Sequence, residues 1–544
     1  MKKILFILII VLAFILRFWR LGDYPALNAD EAAIGYNAYS LIQTGKDEHG
    51  NAWPIHFQSF NDYKPGLYFY MVIPFVKVLG LNEWAVRLPG AAIGVLTVLV
   101  VYFLVLELFK DHRSLGLIAS LLLAISPWHI HFSRGGWEVN LATFLITLGL
   151  LYFMKFINRG RPFYLVLCTL YFVLSLYAYH AARVVVPLLG FSLVMIYRDV
   201  FFRKTNLKPI ILNSLFVILL LIPLAKDLLG PAGISRVAGV GLFADSGPLN
   251  RINEQRGEHA NFISFIPMVL HNKAANYGLA FLENWVSHYS GEFLFLSGDE
   301  IQRDKVPETG ELYLFEIITV SLGIIFLLKR FDKSSKVVFS WLLIAPLASA
   351  LTFQSPHALR AHNMAIPLVI LSAVGLNSII ASLGKFKRFK RLGFGLISFI
   401  FLLSFARYLH MYWVHMSKEY PFSSQYGVKE LVSYLNETVE SRYKKAVVTD
   451  RYDQPYILFL FYLKYDPAKF QGEHTLTPRD QYGFSTVRSF GKYTFTSITN
   501  WDRTRENFRD YLIAGTDEEI LSGTNVVKEI YGINGYKYFQ VVAN

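Results

Sequence analysis

The feature that most constrains this chain is a long series of apolar blocks separated by short charged stretches. They fall at 4–21, 84–109, 114–131, 138–157, 162–180, 183–199, 208–228, 311–329, 336–353, 363–383 and 392–413. A hydrocarbon core about 30 Å thick is crossed by roughly 20 helical residues at about 1.5 Å each. A soluble core would place a charge every few positions, yet the chain is 53% hydrophobic and only 17% charged. The expected fold class is an all-α polytopic membrane protein with about eleven transmembrane helices. The block at 66–80 is shorter and contains Pro74, which suits an interfacial or re-entrant helix. The first block lacks a small-residue cleavage site, so it reads as a retained helix rather than a signal peptide.

Charge then orients the chain. The net charge of +13 comes from basic clusters between apolar blocks, a membrane-loop pattern that excludes nucleic acid as the partner. With the N-terminus in the cytoplasm, the clusters at 110–113, 159–161, 198–204, 329–336 and 385–391 all fall inside. Three pieces are left outside the cytoplasmic membrane, namely a loop at 22–87, a loop at 230–310, and the tail. The tail reads as helix at 426–439, strand at 445–449, helix at 455–465, and strands at 511–514 and 536–542. The expected organisation is therefore a membrane domain over 1–413 and a small C-terminal α/β extracytoplasmic domain over 414–544. The single cysteine, Cys168, lies in an apolar block and excludes a disulfide framework or a cysteine metal site.

Ionisable residues gathered on one face of a membrane bundle mark its working side. Asp30 and Glu31 follow the first span, and Asn28 is placed to cap the helix they begin. Two readings stand: solvated acids favouring a helix start, or a carboxylate base at the membrane surface. Lys64, before Pro65, is either a snorkelling lysine or a cation for a lipid phosphate. Arg87, Arg134, Arg183 and Arg360 lie on the outer side against the positive-inside bias, which points to an anion-binding cavity. Glu138 and His357, on the same side, complete the candidates as acceptor contacts. His288, His357 and His362 show no zinc-type spacing with a third ligand, so no metal ligands are assigned. No Walker loop or dinucleotide fingerprint is present, which disfavours a nucleotide-driven enzyme.

The order of short motifs carries a resemblance. Arg17 and Arg20 end the first span, followed by Tyr24 and Pro25, then Asp30, Glu31 and Ala32, then Gly45. Lys64, Pro65, Gly66 and Leu67 come next, then Glu83, Arg87, Leu88 and Pro89, Ser126 and Pro127, and Ser133 and Arg134. This series resembles the bacterial branch of the family 39 glycosyltransferases, of the GT-C superfamily, related to protein O-mannosyltransferases and lipid A aminoarabinose transferases. The resemblance implies a polyprenyl-phosphate sugar donor and inverting transfer to an acceptor hydroxyl outside the cytoplasmic membrane. The acceptor class is a protein, a lipid or a glycan. Asp30 matches the catalytic acid of the family pair, Glu31 its partner, and Lys64 the lysine that binds donor phosphate. Tyr63 stands where the aminoarabinose transferases carry an acid. A divalent metal is therefore compatible but not indicated, and no cofactor is expected. The rival reading is a transporter, flippase or polymerase of lipid-linked saccharides, which would place charges at mid-membrane or in a large late loop.

Overall fold

Each apolar block forms helix in the computed structural model, which describes residues 2–110, 112–233, 241–261, 264–385, 390–420, 425–441, 443, 445–480 and 484–544. The basic cluster expected at 385–391 lies mostly outside the described residues. Among the described residues, five helices are long and apolar enough to cross a membrane: Glu83–Leu108, Glu138–Arg159, Lys204–Leu228, His362–Gly384 and Arg391–Glu419. A sixth span is available if Arg113–Ile125 and Pro127–Ser133, which meet at 59°, are counted together. Pro127 causes that break. It has no N–H to continue the ladder, and it holds Ser126 extended at ψ 126°. The remaining blocks form helices of 12 to 17 residues, including Lys2–Phe18, Pro162–Ala178 and Lys333–Ile344. Against the expected count of about eleven, five of the described helices reach full spanning length, or six with the bent pair.

The break at Pro127 leaves helix-end carbonyls without partners, and a fully buried arginine supplies them. Arg17 donates to Ala124 O at 3.0 Å and Leu123 O at 3.2 Å, and its Nη2 lies 2.7 Å from His129 Nδ1.

The chain divides into two compact units. One comprises Met1–Arg17, Ala92–Ser133 and Glu138–Leu409. The other comprises Phe18–Ala91, Arg134–Trp137 and His410–Asn544, so the first loop and the tail share one body. In that second unit the tail forms a six-stranded sheet. Its strands are β3 (Lys445–Thr449), β4 (Ser489–Phe490), β5 (Tyr493–Thr496), β6 (Tyr511–Gly515), β7 (Val526–Tyr531) and β8 (Lys537–Ala543), after the first-loop hairpin β1 (His56–Ser59) and β2 (Asp62–Pro65). The order is β4-β5-β3-β6-β8-β7, with β3 parallel to both β5 and β6. The three expected strands are β3, β6 and β8; β4, β5 and β7 also form.

Helix Pro455–Leu463 joins this sheet to the first loop. It is apolar all round, and its residues from Tyr456 to Phe461 are buried. Phe459 packs on Tyr493 and Phe495 of β5, with ring centroids 5.2 Å away in each case. Phe461 meets Gly35 of the helix Ala29–Thr44, where a Cβ would lie 2.6 Å from the ring, so a larger residue would push the two helices apart. Polar ties add to this contact: Gln471 Nε2 donates to Ser40, Thr44 and the carbonyl of Asp47 at 2.8–3.1 Å.

Candidate active site

The Asp30 helix, Ala29–Thr44, begins as the sequence foretells. Asn28 accepts from the Glu31 N–H at 2.9 Å, and Glu31 accepts in return from the Asn28 N–H at 3.3 Å, closing a capping box. The expectation goes no further, because Glu31 is only 1% exposed and committed elsewhere. Arg87 holds its carboxylate in a fork, Nε to Oε1 and Nη2 to Oε2, both at 2.7 Å. The Gly136 N–H adds a third donor at 2.9 Å. A Cβ at Gly136 would lie 2.9 Å from Val86 and 3.4 Å from Glu31, so the approach requires glycine.

Arg87 does not fit the role of a donor-phosphate cation. Its remaining N–H groups go to the carbonyls of Leu21 at 3.0 Å, Pro25 at 2.8 Å and Ala26 at 3.2 Å. All five guanidinium donors are thereby used, and the side chain is fully buried. Arg87 and Glu31 together anchor the turn that starts the Asp30 helix.

Asp30, one residue before Glu31, points to a different partner. Lys64 Nζ makes a close ion pair with its Oδ1. The two side chains are 13% and 22% exposed, largely desolvated but still reachable. Lys64 sits on β2, which pairs antiparallel with β1 and places it opposite Phe57. The hairpin turns through Phe60 and Asn61, both left-handed at φ 56° and 60°. Turns of this kind favour Asn-Gly, so a bulky Phe here is strained. The turn sets the Phe60 ring under Lys64, with 5.1 Å from Nζ to the centroid. The tail holds the tip in place, since Ser485 N–H donates to Phe60 O at 2.9 Å and Asn61 donates to Ser485 Oγ at 3.1 Å.

A second acid near this pair escapes sequence reading. In the charged run Lys46, Asp47, Glu48 and His49, both Asp47 and Glu48 are fully buried. Glu48 exchanges hydrogen bonds with Asn37, donating its N–H at 2.8 Å and accepting at 3.3 Å. Burial, then the Asp47 charge, pushes its carboxyl up to about 8, against a downward pull from Lys64. His49 is driven down to about 3 by burial and by His474, whose Nε2 lies 2.9 Å from its Nδ1. The Glu48 proton has a stability consequence. An acid whose folded value exceeds its unfolded value of about 4.5 stabilises fully below 4.5 and loses that contribution as pH rises through about 8. Unfolding free energy of the wild type is expected to fall between about pH 5 and pH 8, with a limiting slope of about 1.4 kcal/mol per pH unit, read as a falling Tm. Glu48→Gln, neutral throughout, should remove that component of the slope; identical Tm profiles for the two proteins would refute the assignment.

The other candidate arginines have partners within their own units. Arg134, in the same unit, is fully buried, donates to Tyr412 Oη at 3.0 Å and Tyr24 O at 3.2 Å, and lies 4.7 Å from the Trp413 ring centroid. Arg183, Arg360, Glu138 and His357 belong to the other unit. Arg183 caps a helix end, donating to Leu176 O at 3.2 Å beside His180. Arg360 donates to Thr352 Oγ1 at 2.6 Å and lines a cavity of about 280 Å³ with Tyr179, His180 and Leu242. Glu138 opens a helix and is 8% exposed. Burial first, then the Arg360 charge, lowers His357 to about 4. Of the four arginines expected to line one cavity, Arg87 and Arg134 belong to one unit and Arg183 and Arg360 to the other. Within their units these side chains supply donors to backbone carbonyls, hydroxyls and a histidine.

Comparison with known proteins gives this arrangement a setting. Residues 63–225 match the family model described as Dolichyl-phosphate-mannose-protein mannosyltransferase. Lys64 falls just inside that match, and Asp30 and Glu31 precede it. An uncharacterized protein of Aquifex aeolicus (strain VF5) is 28% identical over 163 residues, which is 30% of this chain and 31% of that relative. The match therefore spans under a third of either protein. Among solved structures, ArnT from Cupriavidus metallidurans in the apo state aligns with TM-score 0.54 at 10% identity, covering 98% of this chain and 97% of that one. The same protein bound to undecaprenyl phosphate gives 0.53 at 11%, with the same coverage. The archaeal oligosaccharyltransferase AglB from Archaeoglobus fulgidus, in complex with an inhibitory peptide and a dolichol-phosphate, gives 0.50 at 14%, covering 85% of this chain and 63% of that one. At these identities the likeness is one of fold. The chain has an ArnT-like, mostly helical membrane fold, in line with the resemblance to GT-C enzymes.

Proposed function

We propose that this protein is a membrane glycosyltransferase that moves a sugar from a polyprenyl-phosphate donor to an acceptor hydroxyl, with inversion, on the outer face of the cytoplasmic membrane. The observation that carries the reading is the Asp30–Lys64 ion pair, a largely buried but still reachable acid and cation beside a fully buried Glu31–Arg87 anchor. The two charges suit the two ends of the reaction. The acceptor oxygen bonds to the anomeric carbon while the bond to the donor phosphate breaks, and the acceptor proton passes to Asp30. Lys64 meets the charge that gathers on the departing phosphate, where a well-placed donor is worth about 3–4 kcal/mol. Before substrate arrives, each charge compensates the other. A phosphate that draws Lys64 away leaves Asp30 free to accept a proton, so donor binding arms the base. The family match around Lys64 and the undecaprenyl phosphate bound by ArnT support a lipid-phosphate donor.

Lys64→Ala tests the donor half. It removes a charge-assisted partner from a desolvated phosphate, so affinity for undecaprenyl phosphate should weaken about 10-fold or more. Transfer should slow further than binding, because the charge on the leaving phosphate exceeds that of the bound diester. Lys64→Arg should restore the activity only in part, since a planar fork is not a point charge. Isothermal titration with the lipid phosphate and single-turnover transfer would measure both. Unchanged affinity and rate in Lys64→Ala would remove Lys64 from the site.

A further inference from the structure

We propose that Asp299, Asp304 and His357 form a divalent-cation site of zinc type that ties the 299–304 segment to the loop at 357. All three belong to one compact unit, and each offers a ligand atom within 4.8 Å of the others. They come from separate stretches: Asp299 follows the turn Glu292–Leu296, Asp304 ends the short helix Gln302–Asp304, and His357 follows Pro356.

The spacing favours a cation over a direct pair. His357 Nδ1 lies 3.3 Å from Asp299 Oδ2 and 3.6 Å from Asp304 Oδ2. A histidine hydrogen-bonded to a carboxylate would sit at about 2.7–2.9 Å. His357 Nδ1, on a residue 5% exposed, makes no hydrogen bond in this geometry. Ligands held about 2.0–2.2 Å from a tetrahedral zinc are separated by about 3.3–3.6 Å along the edges of the tetrahedron. The two distances match those edges.

The surroundings hold the ligands in place. Asp299 accepts from the N–H groups of Ile301 at 2.9 Å and Ala358 at 2.5 Å, which fixes its carboxylate across the two segments. The His357 N–H donates to His288 Nε2 at 3.2 Å, and His288 Nδ1 lies 2.8 Å from Asn284 O, so its outward nitrogen is set as the acceptor. Asp299 and Asp304 are each 1% exposed, and Glu311 nearby is 4% exposed. Two carboxylates and an imidazole that converge at these distances suit a divalent ion at one point. One imidazole and two carboxylates, with a fourth position for water, suit zinc first and manganese second.

The test uses the full-length protein in detergent, purified without a polyhistidine tag, stripped with a chelator and titrated with Zn²⁺ and separately with Co²⁺. The expected result is one tightly bound ion per chain, a rise in Tm on adding Zn²⁺, and the visible absorption of four-coordinate Co²⁺. Asp304→Asn should weaken Zn²⁺ binding at least about 100-fold and abolish the Co²⁺ bands while the protein elutes unchanged. His357→Gln provides the same readout if the Asp304 variant is not recovered folded. Stripped wild-type protein that stays folded and takes up no stoichiometric metal would overturn the proposal. Equal affinity in wild type and either folded variant would overturn it as well.

Discussion

Asp30→Asn is expected to slow sugar transfer at least about 100-fold while leaving the lipid-phosphate donor bound. The substitution keeps the shape of the side chain and removes its basicity. Its effect on Lys64 separates catalysis from positioning. If Asp30 takes the acceptor proton, its loss removes the base but frees the Lys64 ammonium, which then binds a donor phosphate at least as tightly as before. If Asp30 merely holds Lys64 in place, affinity and rate should fall together. Single-turnover transfer with saturating donor, alongside titration with undecaprenyl phosphate, reads the two quantities independently. Retention of more than about a tenth of the wild-type rate would exclude Asp30 as the base, and Glu138 would be the next acid to examine. Glu31→Gln should act differently, because Glu31 is 1% exposed and already accepts from Arg87, Gly136 and Asn28. Its cost is expected in stability and in the placement of Asp30, rather than in proton transfer.

The parts of this fold that depend on local pattern were legible in the sequence. A block of apolar residues must bury its backbone polar groups, so every block became a helix. Asn28, three residues before Glu31, was readable as a cap because capping involves only neighbours in the chain. Strands β3, β6 and β8 showed in runs such as Lys445–Thr449. The hairpin β1–β2 was missed because His56–Pro65 has no clean alternation and its turn lacks glycine. Long-range partners were beyond reach. Nothing in the spacing shows that Gln471 ties the tail to the Asp30 helix, that Glu48 is buried beneath it, or that Asp299 and His357 meet. The arginines are the instructive case. The sequence marks them as candidates for an anion-binding cavity, but a guanidinium at a helix end has two uses. Arg87 and Arg183 use theirs on carbonyls that helix geometry leaves without donors.

Arg87→Ala is expected to destabilise the protein by about 3–5 kcal/mol, the cost of leaving one partner of a buried ion pair alone. The Glu31 carboxyl, 1% exposed, would be left with only the N–H groups of Gly136 and Asn28 as partners. The carbonyls of Leu21, Pro25 and Ala26 would lose their donors at the same time. Arg87→Lys restores the charge but not the fork, and one ammonium cannot reach both carboxylate oxygens and three carbonyls, so recovery should be partial. A double variant, Glu31→Gln with Arg87→Met, removes both charges and is expected to be less destabilised than the sum of the two single changes. Unfolding free energies in detergent for wild type, Glu31→Gln, Arg87→Met and the double variant yield that coupling energy directly. Additive losses would mean that the fork contributes nothing beyond its separate parts. Transfer measured on the same proteins separates anchoring from phosphate binding. An anchor lowers turnover in step with the disorder of the Asp30 turn and leaves donor affinity nearly constant. A drop in donor affinity in Arg87→Lys, with Tm preserved, would instead return Arg87 to the phosphate.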